Sequence, residues 1–376
     1  MTDRPLGVGI IGCGRIGSRR AAVAAGSRGS RLVAVADRDL SRANEAAGSS
    51  GATATTEWEA VIGHPDVDAV VVATTHDWLA PISIAALRAG KHVLCEKPMS
   101  LNSRQAAEVV AAAQSSGRLL EVGFNHRHHP ALRRAHDMVR EGTVGELLFI
   151  RCRYGHGGRP GYEREWRMNP DLSGGGELLD QGMHAIDLFR WFLGELSEVT
   201  GVTATWVWQA PVEDNVFALF RSPKGQVASL HASWTQWKNL FSFEVFGERG
   251  ALVVEGLGGS YGVERLTLYR RPSRAGPPEE ERVEFPGPDR SWESEWEEFL
   301  AAIRGGQEAP GGPEDGLAAL RLVEAVYEAA RCGATVHLSS DGKSVRPASG
   351  GGCDDPGEGP VTRLARRRRH RSTVIL

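Results

Sequence analysis

Short apolar runs recur through the first third of the chain, at Leu6–Ile11, Arg31–Ala36, Asp68–Ala73, His92–Cys95 and Leu119–Phe124. They are rich in Val, Ile and Ala and apolar on both faces, the pattern of strands covered on two sides. Between them Arg15–Ala25, Leu40–Ala47, Trp78–Ala89 and Ser103–Ser116 read as helices. Strands spaced by crossover helices predict a doubly wound parallel sheet, an α/β half ending near Phe124. A helix over Pro130–Glu141 and a strand over Glu146–Tyr154 follow, then a Gly- and Arg-rich loop, Gly155–Gly176, and an apolar helix, Glu177–Leu193. Beyond Glu195 the texture changes to alternating, β-branched and aromatic segments: Val199–Trp208, Asn215–Ser222, Gln226–Trp237, Leu240–Phe246, Ala251–Glu255 and Glu264–Arg270. Turn sequences such as Ser222-Pro-Lys-Gly separate them, which predicts a large open, mainly antiparallel sheet. Trp292–Arg304 and Glu314–Arg331 close this α+β half as helices, and no repeat period is visible.

Composition narrows the class. A chain of 376 residues that is 41% hydrophobic can bury two domain cores, and a net charge of −3 gives no electrostatic case for a nucleic-acid or membrane-surface protein. That total conceals a tail, Arg363–Arg371, with six arginines and no acid; without those six charges the net is −9. The segment from Ser340 is Gly-, Pro- and Asp-rich, then basic, and has no periodic apolar pattern to bury, so disorder is expected there. Five scattered cysteines in no metal-binding spacing point to a reducing compartment without a structural metal site. No apolar run approaches the roughly 18 residues of a membrane span, and no secretory leader pattern is present. A cytoplasmic protein is expected.

Gly12-Cys-Gly14-Arg15-Ile16-Gly17 directly follows a strand and opens a helix. In that context Gly12 allows a tight turn, Gly14 lets the backbone approach a pyrophosphate, and Gly17 lets helix and strand pack closely. The helix N-terminus offers unsatisfied N–H groups to the anion. Twenty residues beyond Gly17, Asp37 ends the second strand, where a carboxylate can accept from ribose hydroxyls. Asp37 would repel a 2′-phosphate and Arg38 attract one, so NAD is favoured and NADP is the alternative. The chain therefore divides into a dinucleotide-binding domain over 1–124, a second, α+β domain over 125–338, and the tail over 339–376.

Cys95-Glu96-Lys97-Pro98 places a cation at the carboxyl end of a parallel strand, the edge where ligands bind in such sheets. Lys97 there could stabilise developing alkoxide character on a substrate oxygen and help shuttle its proton. In the helix Glu177–Leu193, Asp180, His184, Asp187 and Trp191 fall on one narrow stripe of an otherwise apolar circumference. A polar stripe on a buried helix must find partners or face a cavity. Neutral His184 could accept a hydroxyl proton as hydride leaves the same carbon, with Asp180 orienting the imidazole or binding a neighbouring hydroxyl.

Together, Gly12-x-Gly14-x-x-Gly17, Asp37, Gly90-Lys-His-Val-Leu-Cys-Glu96-Lys97-Pro98 and Gly174-Gly-Gly-Glu-Leu-Leu-Asp180-Gln-Gly-Met-His184-Ala-Ile-Asp187 resemble the glucose–fructose oxidoreductase / inositol dehydrogenase / MocA family. The resemblance runs from about Leu6 to Arg331. It implies a Rossmann domain followed by an α+β domain whose open sheet joins a homodimer or homotetramer. It also implies NAD(P)-dependent oxidation or reduction of a sugar or cyclitol carbon, with Lys97 beside the nicotinamide and Asp180 and His184 as its catalytic partners. After the fourth strand the chain departs from the common pattern: Thr74 matches, but Thr75, His76 and Leu79 stand where many members have Pro, Asn and a later His. The expected cofactor contacts are Gly12, Gly14, Arg15, Ile16, Gly17, Asp37, Arg38, Thr74, Thr75, His76, Glu96 and Lys97.

For the substrate, the loop 153–167 combines Arg, His, Tyr and Trp with flexible glycines, which suits a polyhydroxylated ring or, through its arginines, a diphosphate. Tyr154, Arg159, Tyr162, Trp166 and Arg167 are its candidates, with Arg127 and Trp237 as weaker ones; Trp166-Arg167 matches a pair found in many sugar-acting relatives. A nucleotide-linked sugar oxidised at C3 is the first expectation, a free cyclitol or aldose the second, and a non-catalytic NAD-sensing regulator the third. No metal, membrane or nucleic-acid partner is expected.

Overall fold

The computed structural model describes residues 4–308, 310–339 and 344–345. The first sheet has six parallel strands: β1 (Leu6–Ile11), β2 (Ser30–Ala36), β3 (Thr53–Thr55), β4 (Ala69–Val72), β5 (His92–Glu96) and β6 (Leu120–Gly123). Their order is β3-β2-β1-β4-β5-β6, so the direction of growth reverses at β1. All five ladders are parallel, which brings the carboxyl ends of the strands to one edge, with the switch point between β1 and β4. The helices α1 (Arg15–Gly26), α2 (Leu40–Ala47), α3 (Trp58–Gly63), α4 (His76–Arg88) and α5 (Ser103–Ser116) make the crossovers. Two of these elements were not foreseeable: β3 is three residues of Thr and Ala, and α3 barely exceeds one turn, so neither carries enough residues to show a period.

The chain then forms α6 (Pro130–Arg140), β7 (Leu147–Gly155), a one-turn α7 (Pro170–Ser173) and α8 (Met183–Leu193). The expected continuous helix from Glu177 is instead a π turn over Leu178–Gly182 leading into α8. Strands β8 (Glu198–Ala204), β9 (Asn215–Arg221), β10 (Val227–Ser233), β11 (Leu240–Gly247), β12 (Gly250–Glu255), β13 (Glu264–Arg270) and β14 (Glu279–Phe285) follow. Helices α9 (Ser291–Gly305) and α10 (Pro313–Cys332) and the short β15 (Val336–Leu338) and β16 (Ser344–Val345) come last. The second sheet has ten strands in the order β14-β13-β12-β11-β7-β10-β9-β8-β15-β16. Among the described residues only β7 and β10 pair in parallel in this sheet; its other ladders are antiparallel. β14 escaped the sequence reading because its Glu-rich residues are exposed and carry no apolar alternation.

One face of this sheet packs on α8 and α10 through residues such as Ile186, Phe189, Phe220, Phe243 and Val326. The other leaves Leu148, Phe149, Phe217 and Leu219 exposed. α9 does not stay with the second sheet. Its Trp296, Phe299 and Leu300 pack on Val8, Ile10, Leu32 and Val35, and Trp296 Nε1 donates to Ser30 Oγ at 3.0 Å. The dinucleotide domain is therefore completed by a helix from far down the chain. Cys13, Cys95 and Cys152 are free and buried, whereas Cys332 is disulfide-bonded, which does not fit the reducing compartment expected from the cysteine pattern. Among the described residues no helix is long and apolar enough to cross a membrane. The six-arginine segment lies outside the described residues.

Candidate active site

A cavity of about 1450 Å³ runs along the carboxyl edge of the first sheet and under the loop 155–176. It exceeds the roughly 300–1,000 Å³ of ordinary ligand clefts, as a dinucleotide with a substrate beside it requires. At one end lies the glycine turn. Gly12 has φ +90°, and a Cβ there would sit 2.5 Å from Ala73 O. A Cβ on Gly17 would sit 1.7 Å from Gly12 O, so helix and turn can close only with glycine at both positions. A Cβ on Gly14 meets nothing within 4 Å, which leaves the backbone open on the cavity side for a pyrophosphate. Asp37 Oδ2 accepts from Cys13 N at 2.7 Å and Oδ1 from Asp39 N at 2.9 Å, which anchors the carboxylate at the β2 exit on the cavity wall. These residues fit a dinucleotide.

Of the expected cofactor contacts, Gly12, Gly14, Arg15, Ile16, Asp37, Arg38, Thr74, Thr75, His76, Glu96 and Lys97 line the cavity, and Gly17 packs behind the turn. The Glu96 carboxylate is held by Arg20 Nε at 2.7 Å, so this side chain anchors α1 and is not turned to a ligand. His76 donates from Nδ1 to Ser173 O at 2.7 Å and meets the Trp166 ring edge-on at 4.8 Å, which ties α4 to the substrate loop. Burial, with Lys97 nearby, pushes its imidazole down to about 3.

The centre is built by β5 and the π turn. Lys97 Nζ donates to Asp180 O at 2.5 Å and Asp180 Oδ1 at 2.8 Å, and Arg167 Nε donates to Asp180 Oδ2 at 3.1 Å. Burial would raise the Asp180 carboxyl, but Lys97 and Arg167 outweigh it and hold it well below the usual range. Asp180 therefore orients Lys97 and Arg167; it is not bonded to the His184 imidazole, as the sequence reading allowed. π turns occur often at functional sites because they break the α-helical register. Here the break brings Asp180 and His184 to the cavity while Asp187, on the same expected stripe, turns away to Arg127.

His184 stacks on His126, with ring centroids 3.8 Å apart and planes 20° from parallel. His184 Nδ1 is buried without a hydrogen-bond partner, while His126 contacts Asn125 Oδ1 at 3.2 Å and Tyr154 OH at 3.0 Å through its two nitrogens. Burial first, then the neighbouring imidazole and Lys97, keep the His184 pKa well below its ordinary value, so the ring is neutral near pH 7. His126 was missed. Its signal was present, since Asn125-His126-Arg127-His128-His129 follows β6 at the ligand-binding edge, but four adjacent basic or imidazole side chains gave no means of choosing between them.

Tyr154 and the loop residues Arg159, Tyr162, Trp166 and Arg167 all line the cavity. Arg159 pairs with Glu165 at 2.5 Å, and Arg167 lies 4.7 Å over the Trp166 ring. Two candidates fall elsewhere. Arg127 is buried outside the cavity, bonded to Asp187 at 2.8 and 2.6 Å and paired with Asp315 at 3.1 Å, because an arginine with two carboxylate partners is satisfied internally. Trp237 is 73% exposed and does not line the cavity, whereas Asn239 does.

A family model described as an oxidoreductase family with an NAD-binding Rossmann fold matches residues 6–124, and a GFO/IDH/MocA C-terminal domain model matches 132–253. A 1,5-anhydro-D-fructose reductase of Ensifer adhaerens is 30% identical over 335 residues, covering 88% of this chain and 98% of its own. The chain belongs to the GFO/IDH/MocA oxidoreductase family. It is an NAD-binding oxidoreductase whose relatives are named for sugars and polyols. A levoglucosan dehydrogenase of Pseudarthrobacter phenanthrenivorans is 30% identical over 251 residues, 59% of this chain and 64% of that protein's length. The solved structure of a levoglucosan dehydrogenase with NADH and levoglucosan superposes with a TM-score of 0.81 at 26% identity, covering 89% of this chain and 99% of that one. Other relatives carry the names inositol 2-dehydrogenase and dTDP-3,4-didehydro-2,6-dideoxy-alpha-D-glucose 3-reductase.

Proposed function

We propose that this family member oxidises a secondary alcohol of an uncharged cyclic polyol, a free sugar or cyclitol, with Lys97, Asp180 and His184 as the catalytic set. The observation that carries the reading is the meeting of an anchored ammonium and a buried neutral imidazole on one cavity wall. NAD, when bound, supplies the hydride acceptor. His184, neutral and with Nδ1 unpartnered, takes the proton of the reacting hydroxyl. Lys97, fixed by two bonds to Asp180, stabilises negative charge as it develops on the substrate oxygen. Asp180 keeps Lys97 and Arg167 in place, and the loop's aromatic faces exclude water and bound the ring.

The uncharged substrate is favoured by the charges of the loop. Arg159 and Arg167 are each already opposed by a carboxylate, Glu165 and Asp180, so the substrate end offers no unopposed arginine fork for a diphosphate. The nucleotide-linked sugar is the second reading, favoured by the number of arginines in the loop and the dTDP-sugar reductases among the relatives. A 340 nm screen of levoglucosan, inositols, aldoses, and UDP- and dTDP-sugars against NAD separates them. Turnover confined to the nucleotide sugars, with inhibition by UDP or dTDP, overturns the first reading. The exposed apolar face of the second sheet fits a homodimer or homotetramer, which light scattering on the purified protein tests.

A further inference from the structure

Glu121 lies in β6, His128 ends the 3₁₀ turn Asn125–His128 that follows it, and Glu295 lies in α9. All three are buried, with exposures of 1%, 4% and 0%, and none lines the cavity. Each offers one ligand atom, and the three atoms lie within 4.8 Å of one another. Both Glu121 oxygens and Glu295 Oε1 are buried without any hydrogen-bond donor, while Glu295 Oε2 holds Arg20 at 2.5 Å. A buried carboxylate with no donor is costly, and three oxygens left so in one place call for a ligand.

The surrounding charges give its sign. Glu96 and Glu295 share the Arg20 guanidinium, Glu298, beside His128, is compensated by Arg133, and Glu121 is within reach of the charges of Arg20 and Arg127 without pairing with either. When ionised, Glu96, Glu121 and Glu295 would exceed the one guanidinium they surround by two negative charges, which a divalent cation would balance. We propose that Glu121, His128 and Glu295 bind a divalent first-row metal ion of the zinc or manganese class. Two carboxylates and an imidazole suit both ions, and three protein ligands leave room for a further donor. The site joins β6, the turn after it and α9, so the ion would fasten α9 to the dinucleotide domain and stand apart from hydride transfer. Cysteine and histidine spacing could not reveal it, because the ligands come from positions 121, 128 and 295 and two are glutamates.

The test uses the full chain, stripped with chelator, reloaded with one equivalent of zinc or manganese, desalted, and assayed for retained metal by mass spectrometry and for thermal unfolding. Retention of about one equivalent of either ion, with a midpoint that rises on loading, is expected. Glu121→Gln and His128→Gln should each weaken retention at least about tenfold, as the loss of metal-site groups commonly does, while circular dichroism and NADH binding stay unchanged. The proposal is overturned if the wild-type chain retains less than about a tenth of an equivalent of both ions, the carboxylates then being balanced by protons. It is also overturned if either variant holds metal as the wild type does. The wild-type metal content decides the matter even where a variant folds poorly.

Discussion

Replacing Arg127 with Met separates a structural from a substrate-binding role for the residue. The guanidinium reaches Asp187 through two bonds of 2.8 and 2.6 Å, pairs with Asp315 at 3.1 Å, and also donates to the Pro310 carbonyl. Asp187 is 1% exposed, so the variant leaves a carboxylate in the core without its counter-charge. Removing one partner of a buried ion pair costs about 3–5 kcal/mol. At about 2–4 °C per kcal/mol for domains of this size, the melting midpoint should fall by about 6–20 °C. Differential scanning calorimetry measures the shift. Substrate KM, taken at a temperature where the variant is folded, should stay within about threefold, since Arg127 does not line the cavity. The double variant Arg127→Met with Asp187→Leu should recover much of the loss, because an apolar pair of similar volume often replaces a buried ion pair without penalty. A midpoint within about 2 °C of wild type, combined with a tenfold rise in KM, would refute the reasoning and return Arg127 to the substrate.

Lys97→Ala and His184→Ala should each lower kcat by about 10²–10⁴, the usual worth of a positioned proton-transfer group, while NADH affinity read by fluorescence hardly changes; near-normal turnover in either would exclude it from the set. Asp37→Ala should cut the preference for NAD over NADP by about tenfold or more in steady-state kinetics, and an unchanged preference would remove Asp37 from ribose recognition. Because His184 is held neutral with its pKa below 6.5, the acid limb of kcat/KM should lie below that value; a limb at or above pH 7 would count against His184 as the base. Stability should also fall as pH drops below about 6.5. His76, His126 and His184 all have depressed pKa values when folded, so the unfolded chain binds protons there first, and urea midpoints at pH 7.5 and 5.5 that coincide would contradict this.

The dinucleotide half was legible because each of its signals is local. β1, α2 and α5 lie where the apolar period placed them, and the glycine turn is a six-residue statement whose context is the strand before it and the helix after it. Segments too short or too polar for a period, β3, α3 and β14, could not be seen. Contacts between distant segments were equally hidden: nothing in Trp292–Arg304 says that its aromatic face covers β1 and β2 and not the neighbouring antiparallel sheet.

The helix that begins at Glu177 shows where such reading fails and why. An uninterrupted α-helix puts Asp180, His184 and Asp187 on one stripe and gives them a common environment. The π turn at Leu178–Gly182 dissolves that equivalence, and three residues that look alike in sequence acquire three partners: Lys97 with Arg167, the His126 ring, and Arg127. Residue type and spacing therefore identified which side chains had to be satisfied, but the partner decides the role. An aspartate opposed by an ammonium in a cavity positions that ammonium, whereas the same side chain seven residues on, opposed by a buried guanidinium, holds the core together. This is also why Asp180→Asn and Asp187→Asn should differ in kind, the first lowering kcat as well as the melting midpoint and the second lowering the midpoint with little change in kcat. Matching effects of the two substitutions on both quantities would mean that the register break at Leu178–Gly182 does not separate their roles.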